Sequence, residues 1–145
     1  MAFNTYSFTD VNITVEHPDY TSFSMQGEGV GDITISKSTD RTSHDVAADG
    51  TVMISKIAGN NGSINVNTQQ TSALHTYMQN LFNYLWSADT DKWAQISITL
   101  RAPKMKQEII CSGCAFQKEA DRPYQAQGQR ISWNMLAADV QYVDI

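Results

Sequence analysis

The sequence predicts a mainly β protein of the α+β class, in which two antiparallel sheets pack into a sandwich or small barrel with one flanking α-helix. Three observations predict this: apolar and polar residues alternate in several segments, turn-forming residues separate those segments, and one stretch has helical spacing instead. The order of elements is strands, one helix, then strands again, which is typical of this class.

Four segments alternate apolar and polar side chains with a period of two. Successive side chains of a strand point to opposite faces, so each segment buries one face and exposes the other to solvent. Antiparallel sheets with one solvated side have this pattern. The apolar positions of the four predicted strands are Ile33 and Ile35; Ile64 and Val66; Ile96, Ile98 and Leu100; and Ile131, Trp133 and Met135.

The first predicted strand changes its apolar face along its length. Tyr6 and Phe8 lie at even positions, whereas Val11 and the apolar residues after it lie at odd positions. This switch indicates a bulge or bend near residues 9–10, because an inserted residue reverses the facing of everything that follows.

Turn signals separate the strands. Residues 17–19, His-Pro-Asp, close the first strand, while residues 48–51 and 59–62 have the composition of hairpin turns. A polar arm at about residues 36–50 has no apolar face of its own, so we expect a protruding loop or an exposed hairpin.

One segment breaks the β pattern with apolar residues three and four apart, which is one stripe of an amphipathic helix. Thr71 or Ser72 supplies an N-cap, and residues 87–91 supply a polar stop. We expect this helix to close an open sheet or barrel. Its predicted packing stripe is Leu74, Tyr77, Met78, Leu81, Phe82, Leu85 and Trp86.

Length and charge limit the possible functions. The 145 residues suit one domain, residues 1–145, and the net charge of −5 with no basic run argues against tight phosphate binding. Charged residues make up only 17%, below the usual share of about 25%. Neutral polar residues replace them and favour packing against copies of the chain. No signal peptide or membrane span is expected.

The sequence predicts no catalytic, cofactor-binding or metal-binding residues, and therefore no enzyme. Cys111 and Cys114 form a CxxC on a predicted strand, where positions i and i+3 face opposite sides, so we expect structural thiols rather than a redox or zinc site. His17, His44 and His75 are isolated in sequence. We expect His44 to be solvated and His75 to lie at the surface or an interface.

Several segments in order resemble the tail tube proteins of contractile-tailed phages, a family long classed as of unknown function. The resemblance covers most of the chain, and the order of the segments carries it rather than any single motif. The segments are residues 6–11 (YSFTDV), 31–35 (GDITI), 48–50 (ADG), 62–66 (GSINV), 71–72 (TS), 109–118 (IICSGCAFQK) and Trp133.

The resemblance implies a fold shared with secretion-system tube proteins. It implies six subunits in a ring, rings stacked into a tube, and DNA passing through the lumen without specific binding. Implied partners are further copies, sheath, tape-measure and baseplate or tail terminator proteins, in a virion tail assembled in the host bacterial cytoplasm, with no membrane. The arm would reach a neighbour or the next ring through Lys37, Asp40, Arg41, His44 and Asp45.

Other function classes give alternatives. A secretion-system or tailocin inner tube would have similar rings but a different cargo. A carbohydrate-binding β-sandwich would need an exposed row of aromatic residues, yet Trp86 and Trp133 lie on apolar stripes and only Trp93 is expected to be free. A small hydrolase has the least support.

Overall fold

The computed structural model describes residue 3 and the ranges 5–26 and 30–144. Within them the chain forms nine β-strands and one α-helix. The strands are β1 (Asn12–His17), β2 (Tyr20–Met25), β3 (Val30–Lys37), β4 (Thr42–Val46), β5 (Val52–Lys56), β6 (Gly62–Gln69), β7 (Ile96–Ala102), β8 (Gln107–Phe116) and β9 (Arg130–Asp144); the helix is α1 (Ala73–Ser87).

Seven strands form one antiparallel sheet in the order β2-β1-β7-β8-β9-β6-β3, and β4 and β5 form a separate two-stranded sheet. The predicted class is confirmed: the protein is mainly β, with two antiparallel sheets and one helix. The predicted packing of the two sheets into a sandwich is wrong, because β4 and β5 are exposed almost throughout and do not cover the large sheet. In the part of the chain that the structure describes, β2 and β3 are not paired with each other, so the large sheet is not a closed barrel.

Chain connectivity curls the large sheet. Its two edge strands, β2 and β3, follow each other in sequence and are separated by only four residues, 26–29. The five Cα–Cα steps between them can span at most ~18 Å. A flat seven-stranded sheet would hold its edges ~29 Å apart. The sheet therefore bends around its core until the two edges approach one another.

The core lies on the concave face of this sheet and follows the predicted alternation. Register places Ile13 opposite Leu100 and Val15 opposite Ile98, and it aligns Val66 with Trp133 in the same way. The largest side chains with less than 2% exposure are Trp133, Ile13, Ile64, Leu74, Met78, Leu81, Leu85, Ile96, Ile98, Ile131, Met135 and Val15.

Helix α1 packs against the concave face of the curled sheet and covers its open side, as expected. The Ser72 side chain caps its first turn by accepting a hydrogen bond from the Leu74 backbone N–H at 3.2 Å. On the β2 side, Tyr77 stacks on Phe23 with ring centroids 5.0 Å apart, and its hydroxyl donates to the Thr21 carbonyl. Burial raises the pKa of Tyr77 to about 12.

The predicted stripe is correct except at its end. Leu74, Met78, Leu81 and Leu85 are buried, and Tyr77 and Phe82 are half-buried. The prediction for Trp86 is wrong, because its side chain is 75% exposed. At 3.6 residues per turn, position 86 lies about 110° from the centre of the stripe. Its ring stacks on Phe82 at the rim of the core instead.

Sequence pattern also missed a buried polar residue on α1. Gln79 is only 8% exposed, and its side-chain amide donates to Glu119 at 2.6 Å and to Asn83 at 3.2 Å. The segment after β8 covers this side of the helix, with Ala120 in the core. The residue pattern of α1 alone could not predict this burial, because the covering segment lies about 40 residues further along the chain.

Two predicted turns differ in detail from the structure. Residues 8–10 form a short 3-10 helix and β1 begins at Asn12, so the expected bend is present but Tyr6 and Phe8 precede the strand. The interpretation of residues 59–62 as a hairpin turn is wrong, because β5 pairs with β4 while β6 pairs with β3 and β9. These residues instead return the chain to the large sheet.

Replacing Trp133 by alanine should destabilise the fold severely. The side chain is fully buried and packs against Phe116 with ring centroids 5.4 Å apart, so its loss leaves a large cavity. We expect Trp133→Ala to lower the free energy of unfolding by about 3–5 kcal/mol in urea denaturation. The control is Leu136→Ala on the same strand, since Leu136 is 49% exposed. Equal losses for the two variants would contradict the assigned core.

Candidate assembly surfaces

Strands β4 and β5 form an arm hairpin, residues 42–56, that projects from the large sheet. The pairs run from Thr42 opposite Lys56 to Val46 opposite Val52. At the tip the Ala47 N–H donates to the Thr51 carbonyl at 2.8 Å. Gly50 adopts φ +91°, a left-handed conformation that glycine tolerates without strain. The turn predicted at residues 48–51 is therefore present.

The arm hairpin has no core of its own. Every residue from 41 to 54 is exposed, including Val46 at 64%, Met53 at 60% and Ile54 at 67%. An isolated two-stranded hairpin is at best marginally stable in water. Exposed apolar side chains grouped on such a projection are typical of a surface that is covered by another molecule.

The base of the arm hairpin is held by hydrogen bonds. The Ile57 N–H donates to the Arg41 carbonyl at 2.9 Å, and the Ser38 N–H donates to the Asn61 carbonyl at 3.0 Å. The Arg41 guanidinium also donates to the Asn60 side chain. The segments that enter and leave the arm therefore run side by side. Their hydrogen bonds hold the base of the arm, while its tip stays exposed.

Of the five predicted arm residues, only His44 and Asp45 lie on the arm hairpin; the other three precede it. Lys37 ends β3 and lies over the ring of Tyr142, 4.9 Å from its centroid. Asp40 and Arg41 are in the connection to β4, and His44 and Asp45 are exposed on β4. Their contact with another subunit stays a prediction. The sequence missed β5, whose apolar Val52, Met53 and Ile54 share the arm.

The sheet edges are a second candidate surface. Strands β2 and β3 each have one neighbour in the large sheet, β1 and β6 respectively. The outward backbone groups of such edge strands can pair with a strand of another chain.

The convex face of the large sheet is a third candidate surface, and it is mainly polar where β3, β6 and β9 lie side by side. Side chains hydrogen-bond across neighbouring strands here: Asn65 donates to Asn134, Ser132 donates to Asn67 at 2.6 Å, and Asn67 donates to Asp32 at 2.6 Å. These cross-strand contacts fix the side chains in place. The result is a rigid neutral polar surface rather than a reactive one.

The two cysteines lie on the same face, which corrects the expectation that their sulfurs diverge. A bulge at Gly113, with φ +63°, inserts an extra residue, so Cys111 lies opposite Ile98 and Cys114 opposite Ile96. Both thiols are free and 0% exposed. Burial raises the pKa of Cys111 to about 11 and that of Cys114 to about 12.

Two histidines are structural. His17 is buried, where its Nδ1 accepts from the Asp19 N–H at 3.1 Å and its Nε2 donates to the Lys92 carbonyl at 2.9 Å. His75 is half-buried, and its Nδ1 accepts from the Trp133 indole N–H at 3.1 Å. Burial, with a smaller contribution from the positive charge of Arg122, lowers the pKa of His75. His44 is exposed on the arm hairpin.

The described residues contain no group of three or more side chains able to hold a metal ion. An apolar cavity of about 150 Å³ lies between the N-terminal segment and the open side of the sheet, lined mainly by Tyr6, Phe8, Val11, Ile33 and Leu100. None of these side chains is a usual acid or base near neutral pH. No helix within the described ranges is long and apolar enough to cross a membrane.

Solved structures with the same fold come from the anti-feeding prophage and from an extracellular contractile injection system. A chain from the anti-feeding prophage baseplate, solved by cryo-EM and described as 6-fold symmetrised, superposes with a TM-score of 0.67 at 8% identity, covering 99% of this chain and 98% of that one. A chain from the PVC sheath-tube complex, an extracellular contractile injection system, gives 0.62 at 9% identity, covering 97% and 93%.

A third structure, the anti-feeding prophage tube terminating cap, gives a TM-score of 0.58 at 8% identity and covers 100% of this chain and 94% of that one. At these identities the likeness establishes the fold alone.

Family membership follows from the sequence itself. The family described as "Bacteriophage PhiTE tail tube protein" matches residues 3–144, nearly the whole chain. The chain belongs to this tail tube family, which confirms the resemblance noted above. A search of curated proteins gives no match.

The buried thiols should react slowly in the folded protein. Disulfide reagents attack the thiolate, and both folded thiols are protonated at pH 8 because their pKa values lie near 11 and 12. We expect a water-soluble disulfide reagent to label both cysteines at least about 100-fold faster in denaturant than in buffer. Rapid labelling of the folded protein would contradict the burial of the pair.

The raised pKa values of Cys111 and Cys114 make the free energy of unfolding depend on pH in the alkaline range. Because the folded thiols have raised pKa values, their contribution is present below the usual value of 9.0 and is lost as pH rises toward 11 and 12. The free energy of unfolding should therefore fall between pH 9 and 11. The fall should be smaller in Cys111→Ala/Cys114→Ala. An identical pH profile for the two proteins would refute this prediction.

Proposed function

We propose that six copies of this chain form a ring and that the rings stack into the hollow tube of a phage tail, through which DNA passes during ejection. Membership of the tail tube family supports the role as a structural subunit. The observation that carries the assembly is the exposed arm hairpin, since a surface without its own core requires a partner.

Edge strands β2 and β3 supply the joins within a ring. A closed ring needs a heterologous interface, in which one surface of a subunit fits a different surface of the next. The two edges belong to different strands at opposite borders of the large sheet, so they meet this requirement. Pairing them between subunits would satisfy the free backbone groups of both edges.

The polar convex face of the large sheet lines the tube. If about four of the seven strands of each of six subunits face the lumen, the bore is lined by about 24 strands and is roughly 40 Å wide after side chains are allowed for, wide enough for duplex DNA. Register places Glu16, Asp32 and Glu108 on this face, against Arg101 and Arg130. Away from the end of this face near Arg130, where positive side chains gather, a neutral to acidic lining would repel phosphates, so the genome slides through without binding.

The comparisons suggest which proteins meet the tube. The similar structures come from a sheath-tube complex, a baseplate and a tube terminating cap. By analogy we propose that this tube contacts a sheath, a baseplate and a terminator, encloses a tape-measure protein, is assembled in the host bacterial cytoplasm and remains in the virion tail. The arm hairpin reaches the neighbouring subunit or ring.

An inner tube of a tailocin or a secretion system remains compatible with the same fold, because the structural neighbours include an extracellular contractile injection system. The genes beside this one distinguish the alternatives. Capsid and terminase genes would indicate a phage, and their absence beside sheath and baseplate genes would indicate a particle without a genome. The chain belongs to a tail tube family, and no observation favours a carbohydrate-binding domain instead.

Excising the arm hairpin should separate folding from assembly. Arg41 and Ile57 already pair through their backbone, so an Asn-Gly turn can join them in place of residues 42–56. We expect the purified wild-type chain to form rings or tubes under negative-stain electron microscopy. The excised variant should remain monomeric, with a melting temperature within about 5 °C of the wild type, because the arm contributes nothing to the core.

The matched control keeps the arm and shortens a different exposed segment. Replacing residues 104–106, which are exposed and connect β7 to β8, by a single glycine changes chain length without removing the arm, and this variant should assemble like the wild type. Tubes formed by the arm-excised variant would refute the role given to the arm. Absence of rings or tubes from the wild-type chain at every concentration tested would count against the proposed function itself.

A further inference from the structure

A basic pocket lies at the end of the large sheet that is remote from the arm. It is open, has a volume of about 390 Å³, and is lined by Lys118, Asp121, Arg122, Pro123, Arg130, Ser132 and Asn134. Three of its side chains are cationic and one is anionic. Such a concentration of positive charge is unusual in a chain whose net charge is −5.

Within the described ranges, carboxylates neutralise little of this positive charge. Lys118 forms a long, exposed ion pair with Asp121 at 3.8 Å. Among the described residues, no ion pair involves Arg122 or Arg130. Glu119, which lies next to the pocket in sequence, is engaged elsewhere by the Gln79 side chain at 2.6 Å. An arginine without a carboxylate partner readily binds one from another chain.

The arm hairpin carries the opposite charge. Toward its tip it contains Asp45 and Asp49, whereas the positive residues Arg41 and Lys56 lie at its base. Both carboxylates are exposed, and Asp49 is at the tip, where its side chain accepts from the Thr51 N–H at 3.0 Å. That contact lowers the pKa of Asp49, so its carboxylate is negatively charged at neutral pH.

The arm hairpin and the basic pocket lie at opposite ends of the molecule. The arm leaves where β3 ends and β6 begins, at the pair Lys37–Gly62. The pocket starts where β6 ends and β9 begins, at the pair Gln69–Arg130, and extends along the convex face as far as Asn134. The eight residues of β3 separate the two ends by ~23 Å. The uniform exposure of residues 41–54 means that the arm is not folded back onto its own domain.

We infer that the acidic arm hairpin of one subunit binds the basic pocket of a second copy, in a head-to-tail contact that sets the polarity of the stack. This inference rests on the proposed tube function and names the partner surface of the arm. A heterologous contact between opposite ends repeats without closing, as an axial stack requires. The basic pocket and its surroundings also offer apolar contact, since Pro123 lines the pocket and the neighbouring Tyr124 is 81% exposed.

Charge reversal tests the pairing. The arm-reversed variant is Asp45→Lys/Asp49→Lys, and the pocket-reversed variant is Arg122→Glu/Arg130→Glu. In each variant alone, every contact would place like charges together, so we expect self-association by sedimentation velocity to weaken at least tenfold. An equal mixture should associate again, because each arm then meets a pocket of opposite charge in the other variant.

A chain that carries all four substitutions should also associate with itself, to within about threefold of the wild type, and 0.5 M salt should weaken every such contact. The controls are Asp89→Lys/Asp91→Lys and Lys104→Glu/Lys106→Glu, which reverse exposed pairs outside the arm and pocket. Thermal melting checks that each variant is folded. These controls should associate like the wild type.

The outcomes separate the two proposals. If the folded single variants associate like the wild type, or if neither the mixture nor the fourfold variant recovers, the pairing inferred here is wrong while the tube function can stand. If the mixture recovers association but electron microscopy of the wild type reveals no rings or tubes, the contact is supported and the proposed function fails.

Discussion

The structure depends on one constraint: a seven-stranded sheet must curl because its two edge strands are consecutive in the chain. Curling creates a concave face that backbone pairing cannot fill, and the apolar side chains of α1 occupy it. Trp133 is the largest residue at the centre of that interface, where it packs on Phe116 and donates to His75. The fold therefore requires one helix with a heavy apolar stripe, and the chain supplies one.

Periodicity predicted the parts of the fold that are set by local geometry. Strands with one buried face, such as β6 and β7, must alternate, and a helix against a core must have an apolar stripe. Gly50 could be placed in a turn because its sequence context demands φ > 0 at the tip. These features need only near neighbours in sequence, so residue pattern is sufficient to find them.

The features that were missed depend on distant parts of the chain. Gln79 is buried because the segment near Glu119 folds over it, and Trp86 is exposed because nothing comparable covers that end of α1. The bulge at Gly113 turns both cysteines inward, which strict alternation cannot anticipate. In the same way the apolar Val52 and Ile54 of β5 are exposed on the arm, although their composition alone would suggest burial.

That last discrepancy concerns the assembly surface rather than the folding core. Apolar side chains are used for burial inside one chain and also for burial between chains, so composition does not distinguish the two. The structure of the single chain does, because it reveals which apolar side chains are already covered. Here the separation is clear, because β5 is apolar and yet has no core to join. Apolar burial can supply the affinity of such an arm, whereas Asp45 and Asp49 can select its position, since charge complementarity contributes more to specificity than to affinity.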